Sequence, residues 1–183
     1  MPRIHPIDTA EAPSAIQVSF ARHVENYGSR ITNMKATLGH SLVAFEIYMQ
    51  WYPLYEEVRR ILGHRLAGLF AFSISQASNS PLCSTYFRKI IIEKGEDPEN
   101  LILTEREKNL LDLGAAIADN KGIVPDEIYN SVSFNYTRRD IVLLVAFAGQ
   151  MIATNIFNNV IQTDIDGYLN EFAPVSIQAM AHE

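Results

Sequence analysis

Helix start and stop signals recur along the whole sequence, while the usual signals for β-hairpins are missing. No Asn-Gly or Asp-Gly pair stands between two runs in which apolar and polar residues alternate. Prolines and glycines instead separate segments in which apolar residues recur at helical spacing. This pattern predicts an all-α chain that folds as a helical bundle.

Eight helical segments follow from these signals, and nothing in the sequence marks a linker between domains. Gly63 is predicted to separate two helices, and the four residues from Thr104 form the capping-box pattern of a helix start. We expect a single domain of residues 1–183, with residues 1–13 as a loose N-terminal arm and residues 164–183 as a C-terminal tail. The predicted segments are Ala15–Tyr27, Thr32–Tyr52, Pro53–Leu62, His64–Ala77, Leu82–Lys94, Glu105–Asp119, Asp126–Val132 and Asp140–Gln162.

The charge balance argues against a general nucleic-acid binder. The chain has 15 basic and 21 acidic residues, which give a formal net charge of -6, and no basic stripe. Its most apolar run, Ile141–Ala148, is far shorter than the ~20 residues that span a membrane. The first residues carry no apolar stretch behind their charge, so no signal peptide is predicted. We expect a cytoplasmic protein without nucleic-acid or membrane partners.

One cysteine, Cys83, limits the sulfur chemistry that a single chain can perform. An intrachain disulfide, a CxxC redox pair and a thiolate zinc cluster are all excluded. The five histidines show no HxH or HxxxH spacing, although ligands distant in sequence can still converge. We therefore expect no metal site and no cofactor.

The segment that begins at Ser80 is the main candidate for a reactive site. Ser80 is a favoured N-cap, Pro81 suits the first helical position, and Cys83 then falls at the third. Unpaired backbone N–H groups and the helix dipole favour a thiolate there, so a lowered thiol pKa is expected. Tyr86 adds a hydroxyl nearby. The alternative is that Cys83 is a buried, unreactive thiol and Ser80 a plain N-cap.

Three further groups lie outside this segment. His64, at a predicted helix start, is a candidate to lie close to Cys83 in the bundle. The aromatic-rich stretch Glu46–Tyr55 fits either a ligand pocket or a subunit interface, and the interface is favoured. Three asparagines on the last long helix need polar partners, within the bundle or in a pocket. They are Asn155, Asn158 and Asn159.

The spacing Ser80-x-x-Cys83 follows Ser75-Gln76 and a break, and it stands at a predicted helix start. This arrangement resembles the AhpD-like / carboxymuconolactone decarboxylase family, in which a helix opens with the pattern CxxCxxxH. The resemblance extends over about residues 33–166 and implies an oligomeric AhpD-like helical bundle. Similar segments outside the motif are Asn33–Ser41, Leu103–Glu107 with Leu110-Leu111, and Pro125–Asn159.

Compared residue by residue, the family's active pattern is incomplete in this chain. The first motif cysteine falls on Ser80 and the second on Cys83, while the motif histidine falls on Phe87. The upstream glutamate of the family falls near Gly68. Serine cannot form a disulfide with Cys83, so the resemblance implies at most single-cysteine thiol chemistry. The proton shuttle through glutamate and histidine has lost its residues.

Three functions remain open. The resemblance implies a peroxidase-related, antioxidant oxidoreductase of the alkylhydroperoxidase type, in which Cys83 is oxidised and then recycled by an external thiol. The second is a cofactor-free lyase or isomerase on a small carboxylate or lactone, with Arg88 or Lys89 binding the acid and Tyr86 or His64 moving protons. The third is a non-catalytic scaffold for a hydrophobic ligand or a partner protein. We expect a homo-oligomer in each case, and the candidate site residues are Cys83, Ser80, Tyr86 and His64.

Overall fold

The computed structural model describes residues 1–174, and this part of the chain is helical without a β-strand. The all-α prediction is therefore confirmed. A 3-10 helix, Gly167–Phe172, follows the last α-helix. The α-helices are α1 (Ser14–Tyr27), α2 (Asn33–Leu38), α3 (Leu42–Met49), α4 (Trp51–Ala77), α5 (Pro81–Glu93), α6 (Glu105–Asp119), α7 (Asp126–Ser133) and α8 (Arg138–Ile161).

Helix α4 lies at the centre of the bundle, where it packs against α5, α6 and α8. The core between these helices contains fully buried aromatic and aliphatic side chains, among them Phe70, Leu113 and Phe147. Gly114 lets α6 approach α4 closely, because a Cβ atom at this position would lie 2.7 Å from Cε2 of Phe70. A second, smaller cluster joins α1 to α3, and there Phe20 packs edge-on against Phe45 at 4.9 Å between ring centroids.

The helix boundaries differ from the prediction between residues 32 and 53. The predicted segment Thr32–Tyr52 is divided in two, because α2 ends at Leu38 and α3 begins at Leu42. Ser41 caps α3, with its hydroxyl accepting a hydrogen bond from the Ala44 N–H. Pro53 does not begin a helix, since it lies in the first turn of α4, where proline is tolerated.

The predicted break at Gly63 is confirmed. The helices before and after it follow each other without a loop, and together they form α4. Gly63 has φ 76° and ψ 164°, a conformation that side-chain-bearing residues rarely adopt. The predicted capping box at Thr104 is also confirmed, because its hydroxyl accepts from the Glu107 N–H and the Glu107 carboxylate accepts from the Thr104 N–H. The glycine and the capping box were therefore sufficient to place the break within α4 and the start of α6.

The N-terminal arm is not loose, contrary to the prediction. Its backbone at Arg3 donates a 2.8 Å hydrogen bond to the Ile161 carbonyl at the end of α8, and Ile7 donates to Ala36. In the C-terminal tail, the 3-10 helix packs against α5. The rest of that tail, residues 175–183, lies outside the described residues.

Helix α8 is long and apolar enough, by length and composition, to cross a membrane, as is the core helix of many soluble proteins. The expectation from the short run Ile141–Ala148 therefore understated how apolar the whole helix is. One side of α8 is buried in the bundle, with Phe147 and Met151 in the core. The other side exposes a stripe of apolar residues, namely Val142, Val145, Ile156 and Val160.

Candidate functional site

A cavity of about 260 Å³, partly open to solvent, lies between the first turns of α5, the segment 28–35, α8 and the 3-10 helix. Cys83 lines it, together with many aromatic side chains. The cavity is therefore a place where a small molecule and the single thiol can meet. The aromatic side chains in its wall are Tyr48, Trp51, Tyr52, Tyr86, Phe87 and Tyr168.

Cys83 has the predicted position at the start of α5. Ser80 is the N-cap and Pro81 begins the helix, although the Ser80 hydroxyl makes no capping hydrogen bond. The thiol is almost completely buried, with 6% of the residue exposed, and its sulfur accepts a 3.3 Å hydrogen bond from the Asn158 side-chain amide. Asn158 is thus one of the asparagines whose polar partner lies at the cavity.

The expected lowering of the Cys83 pKa is wrong in direction. Burial raises the pKa of this thiol, because removal from water penalises the thiolate, and the neighbouring Ser80 and Asn158 side chains offset this only in part. A helix start supplies the dipole and free N–H groups, but here the loss of hydration outweighs them. At neutral pH the Cys83 sulfur is therefore mostly protonated.

The two other predicted site residues lie in different surroundings. Tyr86 lines the cavity, and its ring packs edge-on against Phe87 at 5.1 Å. Burial raises the pKa of its hydroxyl, so Tyr86 remains protonated at neutral pH. His64, in contrast, is exposed just after the Gly63 break, its Nδ1 atom lies 3.1 Å from Nε of Arg59, and it does not line the cavity.

The positions that correspond to the histidine and the glutamate of the family carry no ionisable side chain in this chain. Phe87 is buried, with 2% of the residue exposed, and packs against Trp51 and Tyr55. Gly68 is buried in α4, where a Cβ atom would lie 3.5 Å from Cγ2 of Ile90. Neither position provides an acid or a base to Cys83.

A buried lysine in the cavity wall was not predicted from the sequence. Lys35, in α2, is only 6% exposed, and its Nζ donates hydrogen bonds to Oγ of Ser29 at 2.7 Å and to the Arg30 carbonyl at 2.8 Å. Ser29 Oγ in turn lies 2.8 Å from the hydroxyl of Tyr52. The pKa of Lys35 is lowered to about 8, chiefly by burial, while Asp166 opposes this change and Arg30 adds to it. The signal in the sequence was a lysine among the apolar residues Met34, Ala36 and Leu38.

The remaining charges of the wall come from two segments that are distant in sequence. Arg30 places its guanidinium 4.2 Å from the centre of the Tyr168 ring. Asp166 accepts a 2.9 Å hydrogen bond from the Asn33 N–H, and burial raises the pKa of its carboxyl. Burial likewise raises the pKa of Tyr168 to about 12. The loop after α1 and the segment after α8 therefore meet at this cavity.

The predicted acid-binding side chains are engaged elsewhere. Arg88 pairs with Glu99, and Lys89 pairs with Glu93 at 2.7 Å, although Lys89 also lines the cavity. Part of the aromatic stretch Glu46–Tyr55 lines the cavity too, so its interpretation as a pocket wall fits the described structure. Within residues 1–174, no group of three or more His, Cys, Asp or Glu side chains is arranged to hold a metal ion.

Comparison with known proteins gives similarity at the level of structure. No protein-family model matches the sequence, and no curated protein matches it. The apo debrominase Bmp8 superposes with a TM-score of 0.76 at 14% identity, covering 92% of this chain and 95% of that one. A cysteine-to-alanine variant of Bmp8 in complex with 2,3,4-tribromopyrrole gives the same TM-score at 15% identity, covering 92% and 94%.

Proteins described as peroxidase-related are similar over most of their length. One from Silicibacter sp. TM1040 has a TM-score of 0.66 at 14% identity, covering 89% of this chain and 91% of that one. Another, from Ralstonia eutropha JMP134 and described as an alkylhydroperoxidase AhpD core, has a TM-score of 0.64 at 14% identity, covering 92% and 94%. The resemblance inferred from the sequence motifs is thus supported by the superposition of the backbone, and the chain has the AhpD-like fold.

Proposed function

We propose that this protein is a peroxidase-related oxidoreductase that uses the single thiol of Cys83 on a small molecule bound in the aromatic cavity. The observation that carries the proposal is the placement of the one cysteine of the chain in the wall of that cavity. The cavity is partly open to solvent, so a small substrate can reach the thiol, which a fully packed environment around Cys83 would prevent.

The chemistry follows from having one sulfur. The Cys83 thiolate attacks an oxygen of a hydroperoxide, the S–O bond forms as the O–O bond breaks, and the leaving alkoxide takes up a proton. One external thiol then displaces water from the resulting sulfenic acid, and a second releases Cys83 as an external disulfide forms. Because burial raises the pKa of Cys83, the reactive thiolate is a minor species at pH 7 and turnover should rise with pH.

The assay measures consumption of cumene hydroperoxide with dithiothreitol as the external thiol. Cys83→Ser should lose all thiol-dependent turnover, and a sulfenic acid trapped with dimedone should map to Cys83. Ser84→Ala is the matched control, since Ser84 is adjacent in α5 but does not line the cavity, and its turnover should equal that of the wild type. Equal rates for wild type and Cys83→Ser would refute the proposal.

A second substrate class, halogenated aromatic rings, can be tested with the same variants and the same external thiol. The debrominase Bmp8 is similar in fold, and its variant binds a brominated pyrrole. Half of the residues in the cavity wall are aromatic or contain sulfur, and such side chains suit a flat, polarizable ring. Bromide release from a bromopyrrole in the presence of dithiothreitol therefore tests whether Cys83 acts on a halogenated ring in place of a peroxide.

The second candidate function is a cofactor-free lyase or isomerase on a small carboxylate or lactone. Lys35 favours it, because a lysine with a pKa of about 8 can exchange protons near neutral pH. In this scheme Lys35 replaces Arg88 and Lys89 as the basic residue at the substrate, and Tyr86 remains available as a proton donor. Turnover of a lactone that survives Cys83→Ser would favour this function over the thiol chemistry.

We also propose that the protein is a cytoplasmic homo-oligomer. The exposed apolar stripe on α8 supports self-association, because Val142 and Val145 are 67% and 42% exposed on one face of a long helix. The cytoplasm supplies the low-molecular-weight thiols that the proposed cycle consumes. Light scattering of the purified protein measures the oligomeric state directly.

A further inference from the structure

Lys35 is a buried cation whose charge lacks a full counter-charge. Its ammonium contacts a hydroxyl, a carbonyl and the Tyr52 ring, whose centre lies 5.1 Å from Nζ, and within residues 1–174 it forms no ion pair. Asp166 is close enough to act on it electrostatically, but this carboxylate accepts its hydrogen bond from the Asn33 N–H. Arg30 adds a second positive charge nearby. An incompletely compensated buried charge costs stability, and such groups cluster at functional sites.

Two hydrogen bonds leave one N–H donor of Lys35 without a hydrogen-bond acceptor among the described residues. An ammonium group has three N–H donors, and Ser29 and the Arg30 carbonyl use two of them. Ser29 is itself fixed by its hydrogen bond to Tyr52, so the ammonium is held in place without a ligand. Because Lys35 lines the cavity, the third donor is available to a molecule bound there.

We propose that Lys35 binds the anionic group of a small organic anion whose apolar body lies among the aromatic side chains of the cavity. The volume of about 260 Å³ is below that of drug-binding clefts, so the ligand is small. This inference rests on the proposed function in one respect, namely that the cavity is the ligand site, and it does not depend on the reactivity of Cys83. The anion would supply the counter-charge that Lys35 lacks.

The charges that face Lys35 set the pH dependence of binding. They are Arg30 from the loop after α1, Asp166 from the segment after α8, and His23 from α1. His23 is neutral at pH 7, because burial lowers its pKa to about 4. Tyr52 from α4 also faces the ammonium, and burial raises its pKa to about 12. Lys35 is therefore the group that titrates near pH 8, and the affinity for an anion should fall above that pH.

The experiment compares cyclohexanecarboxylate with its neutral isostere cyclohexanecarboxamide. Neither absorbs near the tryptophan band, and Trp51, the one tryptophan of the chain, lines the cavity and reports binding by fluorescence. Since an ionic hydrogen bond in a buried site favours the anion, its affinity should be at least about tenfold higher than that of the amide. Lys35→Met should remove this preference and keep amide binding.

Two further lysine variants make the result specific. Lys108→Met removes the same charge from the exposed face of α6, outside the cavity wall, and should keep the anion preference. Lys89→Met tests the other lysine of the wall, and loss of the preference in this variant alone would overturn the proposal. Should Lys35→Met fail to fold, the wild type still decides, since an anion preference that stays constant from pH 7 to pH 10 would overturn it as well.

The two proposals fail separately. Peroxide turnover through Cys83 without any preference for anions would refute the role of Lys35 and leave the thiol chemistry intact. Selective binding of the anion by Cys83→Ser, together with no turnover by the wild type, would support the role of Lys35 and refute the thiol chemistry. Binding is therefore measured in both the wild type and Cys83→Ser.

Discussion

Replacing Lys35 by methionine should make the stability of the protein less dependent on pH. Methionine keeps most of the length of the side chain and removes the charge. Folding lowers the pKa of Lys35 from 10.5 to about 8, chiefly because burial penalises the ammonium. Between these two values the unfolded chain holds a proton on Lys35 that the folded protein has released. The wild type must therefore gain stability, relative to Lys35→Met, as the pH rises through this window.

The magnitude follows from the two pKa values. One pKa unit corresponds to about 1.4 kcal/mol, so the charged form of Lys35 costs the folded wild type roughly 3 kcal/mol at pH 7. At pH 10 the folded protein has released the proton and less than about 1 kcal/mol of this cost remains. The difference in unfolding free energy between wild type and Lys35→Met should therefore change by about 2.5 kcal/mol between pH 7 and pH 10. Lys35→Met also loses the hydrogen bonds to Ser29 and Arg30, and this loss changes the difference in unfolding free energy equally at pH 7 and pH 10.

Urea unfolding followed by Trp51 fluorescence and circular dichroism measures these free energies at fixed protein concentration. Tyr52, the other titratable group of this hydrogen-bonded chain, has a pKa of about 12 and stays protonated throughout the range. Lys108→Met, in which an exposed lysine is lost, should track the wild type at every pH. If the difference in unfolding free energy between the wild type and Lys35→Met is the same at pH 7 and pH 10, Lys35 is not a buried cation.

Four other outcomes test the fold, the assembly and the thiol. Gly114→Ala should destabilise the protein by about 1–3 kcal/mol in calorimetry through its clash with Phe70. Gly149→Ala, in α8 with no atom within 4 Å of the new Cβ, should stabilise it by about 0.5–1 kcal/mol. Val145→Glu should shift light scattering toward the monomer with an unchanged circular dichroism spectrum. Alkylation of Cys83 by iodoacetamide should be slower at pH 7 than that of a free thiol and should accelerate toward pH 9, as mass spectrometry can show.

The parts of the fold that the sequence could predict are those set by a few neighbouring residues. The capping box at Thr104, the break at Gly63 and the helix start at Ser80 depend on local hydrogen bonding and backbone conformation. The division between α2 and α3 was missed because apolar residues recur on both sides of Gly39, and Ser41 was not recognised as a cap. The order of the N-terminal arm could not be predicted because its partners, the last carbonyls of α8, are more than 150 residues away.

The sequence could predict only those features of the site that depend on neighbouring residues. Placing Cys83 at the third position of α5 needed four residues of sequence, whereas the direction of its pKa change depended on burial by α8 and its neighbours. Lys35 was missed for the same reason, since its partners and neighbouring charges come from three different segments. His64 lies just past the Gly63 break with Arg59 beside it, and helical periodicity alone gave no sign of that exposure.

The hydrogen bonds of the N-terminal arm make the beginning of the chain a structural partner of the cavity. The backbone and guanidinium of Arg3 donate to the carbonyls of Ile161 and Val160, which have no partner of their own within the helix. The same last turns of α8 carry Asn158, which donates to the Cys83 sulfur, and Asn159, which donates to the carbonyls just before α5. An affinity tag placed at Met1, or deletion of the first seven residues, therefore acts on the wall that holds the thiol, more than 70 residues away in the chain.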